Sequence, residues 1–219
     1  QGLYGMKQLP GLATQHMLAT GYGYGGEGDW KVAGMTAIIK FMSEGKTGGS
    51  AFMEDYTYHL VPGSEYSLGA HMLEVCPSVA AERPRIEVHP LGIGDREDPA
   101  RIVFEGREGD AVVVSLVDMG GRLRLICQDI HCVKPIMPMP NLPVARVMWQ
   151  AMPNLKTGLE CWILSGGAHH TVLSYDVDAE QMRDWARIMD IEFVHISKDT
   201  TIESLEHDLF LSDIAWKLK

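Results

Sequence analysis

The chain of 219 residues is 46% hydrophobic and 22% charged, with a formal net charge of -10. That length is enough for one sizeable core or two small domains. The negative charge, with no cluster of Lys and Arg to offset it, argues against nucleic acid and anionic membranes as partners, and no apolar run approaches the ~18 residues of a membrane-spanning helix.

Two helices are predicted at the start of the chain. The first covers Leu9 to Thr20, and a glycine-rich loop from Gly21 to Gly28 follows it. Asp29 is placed to cap the second helix, whose end is marked by Gly45 and by the pair Gly48–Gly49. The second helix is expected to bury an apolar face with helical spacing. That face consists of Trp30, Gly34, Ala37, Ile38, Phe41 and Met42.

From Ala51 the pattern changes to short strands separated by turn residues. Six strands at such spacing are typical of an antiparallel barrel or sandwich, and three further strand signals come later. The predicted strands are Phe52–Val61, Tyr66–Leu73, Arg85–His89, Ala100–Glu105, Ala111–Val117, Leu123–Val133, Val144–Trp149, Leu159–Leu164 and Thr171–Tyr175.

The chain is predicted to finish with two helices. Asp178 with Gln181, and Thr200 with Glu203, have the spacing of a capping box. The expected buried stripes are Met182, Trp185, Ala186 and Met189 in the first helix, and Ile202, Leu205 and Leu209 in the second. The predicted class is α+β, an antiparallel barrel-like body with a short helical segment before it and two helices after it.

The cysteines and the N-terminus bear on the compartment. Cys76, Cys127, Cys132 and Cys161 show no C-x-x-C spacing, so we expect free thiols in a reducing cytoplasm. The N-terminus has no basic flank and apolar stretch of a secretion signal. Because the chain begins with Gln1, we expect either a processed protein or a piece of a longer one.

Glu54 is the first candidate for chemistry. Alternate side chains share a face of a strand, which places Glu54 on an aromatic face with Phe52, Tyr56 and Tyr58. A carboxylate on such a face is costly to bury unless it is paired, protonated or bound to a metal. Two interpretations stay open: a buried, partnered carboxylate, or an exposed face that the tyrosines merely cover.

Three histidines occupy suggestive positions. His71 lies in an apolar strand segment, where a lone histidine is more often a hydrogen-bonded core residue than a ligand. His169 and His170 follow two glycines that permit a sharp turn. If both were extended they would point to opposite faces, so only one would reach a given ion.

The glycine-rich loop carries the last candidate. Its literal match to G-x-G-x-x-G does not indicate a dinucleotide site, because a helix precedes it and no βαβ unit surrounds it. Glu27 remains, a carboxylate flanked by glycines just before a helix. Its simplest role would be to complement the positive end of that helix.

Two glutamates and two or three histidines are therefore the surviving candidates. Mixed imidazole and carboxylate ligands suit Mn²⁺, Co²⁺, Fe²⁺ or Zn²⁺. By contrast, the spacing of Cys127, His131 and Cys132 fits no common zinc site. The residues alone predict a mononuclear metal site and indicate no substrate.

Five segments resemble one known family, and the similarity runs through nearly the whole chain. They are Gly5–Leu12, Gly26–Lys31, Phe52–His59, His71–Pro77 and Gly166–Thr171. Taken together, they are closely similar to L-arabinose isomerase.

The resemblance implies a ligand set and a reaction. The metal ligands would be Glu27, Glu54, His71 and His170, and the ion Mn²⁺ or Co²⁺, with no nucleotide cofactor. Glu27 and Glu54 would also act as acid and base while a proton moves between C2 and C1 of an aldose through an enediol. His169 and Met72 would lie beside the sugar. The expected reactions interconvert L-arabinose with L-ribulose and D-galactose with D-tagatose.

The resemblance also implies an architecture. The family places a barrel-like C-terminal domain behind a middle α/β domain, with an N-terminal α/β domain in front. Residues 1–50 would be a helical remnant of the middle domain carrying Glu27, and residues 51–219 the C-terminal domain. Family chains are much longer and their active site forms between subunits, so we expect a homo-oligomer or association with further domains.

Two alternatives remain. One is a mononuclear metal enzyme of another class, an oxygenase or hydrolase on a barrel, which would need two histidines on one face. The other is a catalytically incomplete fragment that binds metal or sugar, since the contributions of the other family domains are absent.

Overall fold

Six β-strands close into a ring at the centre of the structure. The computed structural model describes residues 5–93 and 95–219, and for residues 55 and 56 it describes the backbone alone. The strands in chain order are β1 (Ser50–Val61), β2 (Ser64–Ala70), β3 (Arg85–Val88), β4 (Ala100–Val103), β5 (Gly109–Asp118), β6 (Leu123–Val133), β7 (Arg146–Ala151), β8 (His170–Ser174) and β9 (Glu192–Ile196).

Hydrogen-bonded neighbours follow the order β5, β8, β1, β2, β7 and β6, and β6 pairs back with β5. All six pairings of this ring are antiparallel. Strand β6 is long enough to have a second partner on one edge: its first half pairs in parallel with β9, and its second half pairs with β7. Strands β3 and β4 form a separate two-stranded sheet. The predicted α+β class with an antiparallel barrel-like body is confirmed.

In the described part of the chain, five α-helices accompany the sheet. They are α1 (Gly11–Ala19), α2 (Trp30–Met42), α3 (Leu155–Leu164), α4 (Ala179–Ile188) and α5 (Ile202–Lys217), with short 3₁₀ turns at Gly26–Gly28 and Pro77–Val79. Asp29 caps α2 by accepting from the backbone N–H of Lys31 and Val32, as predicted. The capping box of Asp178 with Gln181 at the start of α4 is also confirmed.

The predicted strand Leu159–Leu164 is wrong, because these residues belong to α3. Asn154 caps that helix by accepting from the backbone N–H of Thr157 at 3.0 Å. A short apolar run has no periodicity of its own that separates a strand from a buried helix. The cap at Asn154, five residues before the run, is the local signal that indicates a helix, whereas the periodicity of the run indicates neither structure.

Two further details at the C-terminus differ from the predictions. The box that opens α5 consists of Thr201 and Ser204, one residue later than the predicted Thr200 with Glu203. Strand β9 was not predicted, since it is five residues long and lies between the two expected helices. The buried stripe of α4 is confirmed for Met182 and Ala186, whereas Met189 is exposed.

The buried face of α2 also differs from the prediction. The fully buried residues are Val32, Met35, Thr36 and Ile39. By contrast, Trp30 is 66% exposed and Phe41 is 79% exposed. Both sets have helical spacing, because α2 is apolar around most of its circumference. Periodicity therefore predicts the helix, but it does not predict which face of the helix packs against the sheet.

The ring has a core on each of its faces. Met53, Val113, Ile126, Trp149 and Leu173 come from five different strands and pack into one cluster, which places them inside the ring. The outward side chains of the same strands form a second cluster with α2 and α4. Alternation along each strand separates the two clusters, and the helices cover the outer one.

Strand β1 contributes to both clusters, with Met53 inside and Phe52 outside. Glu54 therefore leaves the strand on the outer side with Phe52. The register against β2 then shifts between Glu54 and Thr57, so the predicted continuous aromatic face is interrupted. Beyond the shift Tyr58 is 40% exposed; the side chain of Tyr56 lies outside the described residues. The carboxylate is therefore partnered at the Glu54 end of the strand, and the face is exposed at the Tyr58 end.

The cysteines agree with the expected free thiols, since Cys76, Cys127, Cys132 and Cys161 are all buried and unpaired. Among the residues that the structure describes, no helix combines the length and the apolar character needed to cross a membrane.

A buried ion cluster attaches the C-terminal helix to the sheet. Glu192 on β9 accepts from Arg122 Nε at 2.6 Å and from Arg124 Nη2 at 3.0 Å, and Ser212 of α5 donates to the same carboxylate. Burial alone would raise the pKa of Glu192, but the hydrogen bonds from these partners hold it below its usual range. Arg124 and Glu192 are both 3% exposed.

Replacing Glu192 with Gln should lower the free energy of unfolding by about 3–5 kcal/mol, because the buried Arg124 loses its close counter-charge and keeps only the half-exposed Asp213, 3.7 Å from its Nη2. In the wild type, this contribution is present above the unfolded-state pKa and is lost as the pH falls through the lowered folded-state pKa. Urea unfolding at neutral and acid pH measures both effects. Asp213→Asn, which removes a half-exposed partner of Arg122 and Arg124, should cost less than about 1 kcal/mol. Equal losses for the two variants would contradict this account.

Candidate metal centre

The predicted site residues meet on the outer face of the ring, next to the start of α2. Glu54 lies opposite His170 in the pairing of β1 with β8 and opposite Ala70, the last residue of β2. His71 directly follows Ala70 and so lies beside the same point. Antiparallel pairing on both edges of β1 thus brings together three candidates that are far apart in the sequence.

The distances show how closely the candidates converge. Glu54 lies between two imidazoles: its Oε2 is 3.6 Å from Nε2 of His71, and its Oε1 is 3.5 Å from Nε2 of His169. Glu27, His169 and His170 each offer one ligand atom, and these three atoms lie within 4.8 Å of one another. This group contains two of the four ligands implied by the resemblance, Glu27 and His170, together with His169. Glu54 and His71 lie beside it, joined to it through the contact of Glu54 with His169.

The two adjacent histidines were expected to point to opposite faces if both were extended, and that condition is not met. Their ring centroids are 4.2 Å apart. Strand β8 begins at His170, and His169 lies in the bend before it, where strand alternation does not apply. Gly166 (φ 87°) makes the predicted turn, and the indole N–H of Trp162 donates to the carbonyl of Ala168 at 2.9 Å. The bend is thereby fixed on α3.

The two ring nitrogens of His170 have different surroundings: one faces a carboxylate, and the other has no hydrogen-bond partner among the described residues. Its Nδ1 lies 3.2 Å from Oδ2 of Asp29, whose Oδ1 caps α2. Its Nε2 is buried and has no hydrogen-bond partner among the described residues. An unpartnered buried nitrogen costs about 1–3 kcal/mol, and a metal ion would satisfy it. Sequence analysis predicted the cap and missed the second role of Asp29.

His71 shows the same arrangement with a different carboxylate. Its Nδ1 is hydrogen-bonded to Oε2 of Glu74, which also accepts from the backbone N–H of Leu73 at 3.1 Å. Burial would lower the pKa of His71, but the hydrogen bond to Glu74 and the charges of Glu74, Glu54 and Glu27 outweigh it and raise the pKa. Glu74 lies in a segment that resembles the family, but no spacing or motif indicated its contact with His71.

A glycine and a phenylalanine shape the space in front of the two nitrogens. A Cβ added to Gly26 would lie 3.4 Å from Nε2 of His71 and 3.7 Å from Nε2 of His170. Both nitrogens therefore border one point, which the glycine leaves open. The ring of Phe52 lies edge-on to both imidazoles, with centroids 5.1 and 5.2 Å away. It provides an apolar floor that limits their rotation and their access to water.

Glu27 has a strained backbone. Its φ of 56° lies in the left-handed region, where a residue with a side chain pays about 1–2 kcal/mol. Gly28 is left-handed as well (φ 80°). Strain of this kind persists where the surrounding structure enforces it, and it concentrates at functional sites. Here it presents the Glu27 carboxylate to His169 and His170.

The residues fit a divalent ion. Two imidazole nitrogens with carboxylate neighbours and no thiolate match the preferences of Mn²⁺, Co²⁺, Fe²⁺ or Zn²⁺. Each buried histidine uses its Nδ1 for a carboxylate, as is usual for metal-bound imidazole. The other grouping considered from the sequence is not a site, because Cys127 packs in the outer cluster and Cys132 inside the ring.

Met72 is the remaining residue expected beside a sugar. It follows His71 and is partly exposed, and its carbonyl accepts from Nη1 of the buried Arg101 at 3.2 Å. Arg101 thus braces the backbone between the two halves of the His71–Glu74 pair. A role for Met72 in sugar binding stays a prediction.

A closed antiparallel ring with carboxylate-backed imidazoles on its outer face defines a class, that of barrel-like proteins with a histidine–carboxylate cluster. The chain belongs to the L-arabinose isomerase family. Residues 49–192 match the model of the L-arabinose isomerase C-terminal domain, and residues 1–45 match that of the central domain.

Relatives named L-arabinose isomerase match throughout the chain. The protein from Bacillus licheniformis is 57% identical over 219 residues, which are 100% of this chain and 44% of the relative. Those from Geobacillus stearothermophilus and Bacillus subtilis are each 55% identical over 217 residues, 99% of this chain and 43% of the relative. The chain therefore spans less than half the length of these relatives.

Replacing Glu27 with Gly should raise the free energy of unfolding by about 0.5–1 kcal/mol, because glycine adopts the left-handed backbone without a steric penalty. The same change should weaken Mn²⁺ binding, since a carboxylate is lost. Thermal unfolding and Mn²⁺ titration measure the two effects. Asp190 (φ 52°) is the matched control: Asp190→Gly should stabilise by a similar or smaller amount and leave Mn²⁺ binding unchanged. A destabilised Glu27→Gly variant with unchanged Mn²⁺ affinity would identify Glu27 as a structural residue.

Proposed function

We propose that this chain supplies the metal-holding part of an L-arabinose isomerase, which interconverts L-arabinose with L-ribulose and also D-galactose with D-tagatose. The observation that carries the proposal is the pair of buried imidazoles, each with Nδ1 on a carboxylate and Nε2 beside Glu54 or the open point at Gly26. The names of the relatives supply the sugar.

In this proposal Glu27, Glu54, His71 and His170 hold one ion, Mn²⁺ or Co²⁺. When bound, the ion polarises the sugar carbonyl and stabilises the negative charge that develops on its oxygen. His169 is assigned to the sugar. Its side chain is 46% exposed, against 5% for His170, and its Nε2 is directed to Glu54, so it can contact both the carboxylate and an arriving hydroxyl group.

The two glutamates serve as base and acid. One carboxylate removes the proton from C2 of the aldose, which gives an enediol, and the proton returns to C1. The hydroxyl proton on O2 is transferred to O1, so the product differs from the substrate only in the positions of these two hydrogens. Positioned acid–base groups typically contribute about 10²–10⁴-fold to the rate. The position of Glu54 between the imidazoles of His71 and His169 supports its part in the proton transfer.

The remaining parts of the proposal concern assembly. Residues 1–50 belong to the central domain and residues 51–219 to the C-terminal domain, and a complete active site needs the further domains of the longer relatives or other copies of the chain. The buried free thiols support a reducing cytoplasm.

The second candidate function is a metal-binding fragment without turnover, which the length difference from the relatives favours for the chain on its own.

The decisive assay measures ketose formation from L-arabinose and D-galactose with added Mn²⁺. It compares the 219-residue chain with the same chain joined to the preceding segment of the Bacillus licheniformis relative. We expect turnover in the joined protein and its loss, by about 10²–10⁴-fold, in its Glu54→Gln variant. Glu65→Gln, an exposed change on β2, is the control and should keep full activity. A joined protein that binds Mn²⁺ tightly and forms no ketose would favour the metal-binding fragment.

Running the joined enzyme in D₂O tests the proton path. A carboxylate that holds the C2 proton exchanges it with solvent, so we expect deuterium at C1 of the ketose, detected by NMR or mass spectrometry. Ketose free of deuterium at C1 would argue against an enediol that exchanges its proton with solvent and for a hydride shift between C2 and C1.

A further inference from the structure

The segment of residues 71–76 carries His71 and Glu74, but it lies on no helix or strand. Its backbone is therefore not held by the regular hydrogen bonds of an element, and its buried carbonyl groups need partners from elsewhere in the fold. One such partner is a side chain of α1: Nε2 of Gln15 donates to the carbonyl of Val75 at 3.0 Å. The position of this part of the metal centre thus depends on a residue that is distant in the sequence.

The amide of Gln15 is fully buried and hydrogen-bonded to two stretches of backbone. Besides its bond to Val75, Nε2 donates to the carbonyl of Ile102 at 3.0 Å, and Oε1 accepts from the backbone N–H of the same residue at 2.7 Å. Both donor hydrogens of the amide therefore have an acceptor, as a buried amide requires. Through this one side chain the segment of residues 71–76 is tied to β4.

A glycine one turn earlier in α1 allows the helix to lie against the same segment. A Cβ on Gly11 would come within 2.7 Å of Cβ of Leu73, so only glycine permits this approach. Gln15, four residues later, leaves the same face of the helix. From β4, the buried Arg101 donates to the carbonyl of Met72 at 3.2 Å. The segment is therefore held by α1 and by β4 together.

These contacts bear directly on the carboxylate behind the imidazole. The backbone N–H of Leu73 donates to Oε2 of Glu74 at 3.1 Å, and the same oxygen is hydrogen-bonded to Nδ1 of His71. A shift of this backbone therefore moves the carboxylate relative to the ring. Helix α1 lies in residues 1–45, which match the central-domain model, whereas the segment lies in residues 49–192, which match the C-terminal-domain model. The two matched regions thus meet at the metal centre through α1 as well as through the start of α2.

We propose that Gln15 is a positioning residue: its buried amide holds the backbone that carries His71 and Glu74, and it thereby sets the place of the His71 imidazole in the metal centre. The bracing follows from the hydrogen bonds alone, whereas its value for metal binding rests on the proposed function. In Gln15→Glu the carboxylate keeps an acceptor for the N–H of Ile102 but offers an acceptor where the amide offered donors. The carbonyl of Val75 is then left unpaired, and the segment is released from β4.

The first measurement is hydrogen exchange of the Leu73 amide in the 219-residue chain without added metal. That amide is protected only while the Glu74 carboxylate stays in front of it, so its exchange rate reports the order of the segment. We expect Gln15→Glu to speed this exchange by about 10-fold, the usual order for a buried hydrogen-bond partner left unpaired.

Gln128→Glu is the matched control. Gln128 is also buried, and its Nε2 donates to the carbonyl of Met152 at 2.9 Å. It lies opposite Val113 of the inner cluster, whereas the segment of residues 71–76 belongs to the outer side of the ring. The same chemical change should therefore lower the thermal stability in both variants and leave the exchange of Leu73 unchanged in Gln128→Glu.

Titrations of the same proteins with Mn²⁺ and Co²⁺ give the second readout. Loss of a group that supports a metal-bound histidine typically costs about 10–100-fold in affinity, and we expect a loss in that range for Gln15→Glu. The visible absorption of bound Co²⁺ reports the geometry of its ligands. It should change in Gln15→Glu and stay the same in Gln128→Glu, a difference that a purely structural role for Gln15 would not produce.

Gly11→Ala keeps the test available if Gln15→Glu fails to fold. The added Cβ pushes α1 away from Leu73 and leaves every hydrogen-bonding group in place, so it should speed the exchange of Leu73 and weaken Mn²⁺ binding in the same direction. Gly34→Ala in α2 is its control, because a Cβ there meets nothing within 4 Å.

The outcomes separate this inference from the proposed function. If the wild type binds neither ion while Gln15→Glu still speeds the exchange of Leu73, the bracing stands and the metal assignment fails. If both ions bind the wild type and Gln15→Glu with the same affinity and the same Co²⁺ spectrum, the metal centre stands and the positioning role of Gln15 is overturned. Equal exchange of Leu73 in Gln15→Glu and Gln128→Glu would make Gln15 an ordinary core residue.

Discussion

The pairing of β1 on both of its edges is the constraint on which the site depends. One edge sets Glu54 opposite His170, and the other sets it opposite the residue before His71. Because side chains alternate in strands, a slip of one residue would turn Glu54 into the interior of the ring. The inward packing of Met53 and the outward packing of Phe52 hold the register, so the hydrophobic cores of the barrel also determine the geometry of the polar cluster.

Burying imidazoles and carboxylates beside apolar rings is costly unless they are partnered. In this protein each buried histidine has its own carboxylate, and each carboxylate has its own backbone donor: Asp29 at the start of α2, and Glu74 at Leu73. The outer nitrogens of both histidines border a common space at Gly26. The contacts that make the burial of these groups tolerable also direct the two outer nitrogens to one point.

Much of the architecture was predictable because it depends on local signals. The cap at Asp29, the capping box at Asp178 and the short strands between turn residues are each specified by a few neighbouring residues. The failures occurred where local signals are ambiguous. The run Leu159–Leu164 is apolar in either conformation, and α2 is apolar on more than one face, so only packing against the sheet selected Val32 and Met35 over Trp30.

The sequence by itself determined the residue types of the centre, the antiparallel class and, through resemblance, the four expected ligands. Only the tertiary structure brought His169 next to His170 and gave Asp29 and Glu74 their histidine partners. The reason is physical: strand alternation and capping act over a few residues and leave a trace in the sequence. Contacts between a loop, a helix start and two strands are set by how the elements pack. The sequence does not distinguish a carboxylate that contacts a histidine from any other carboxylate, so these pairs could not be predicted.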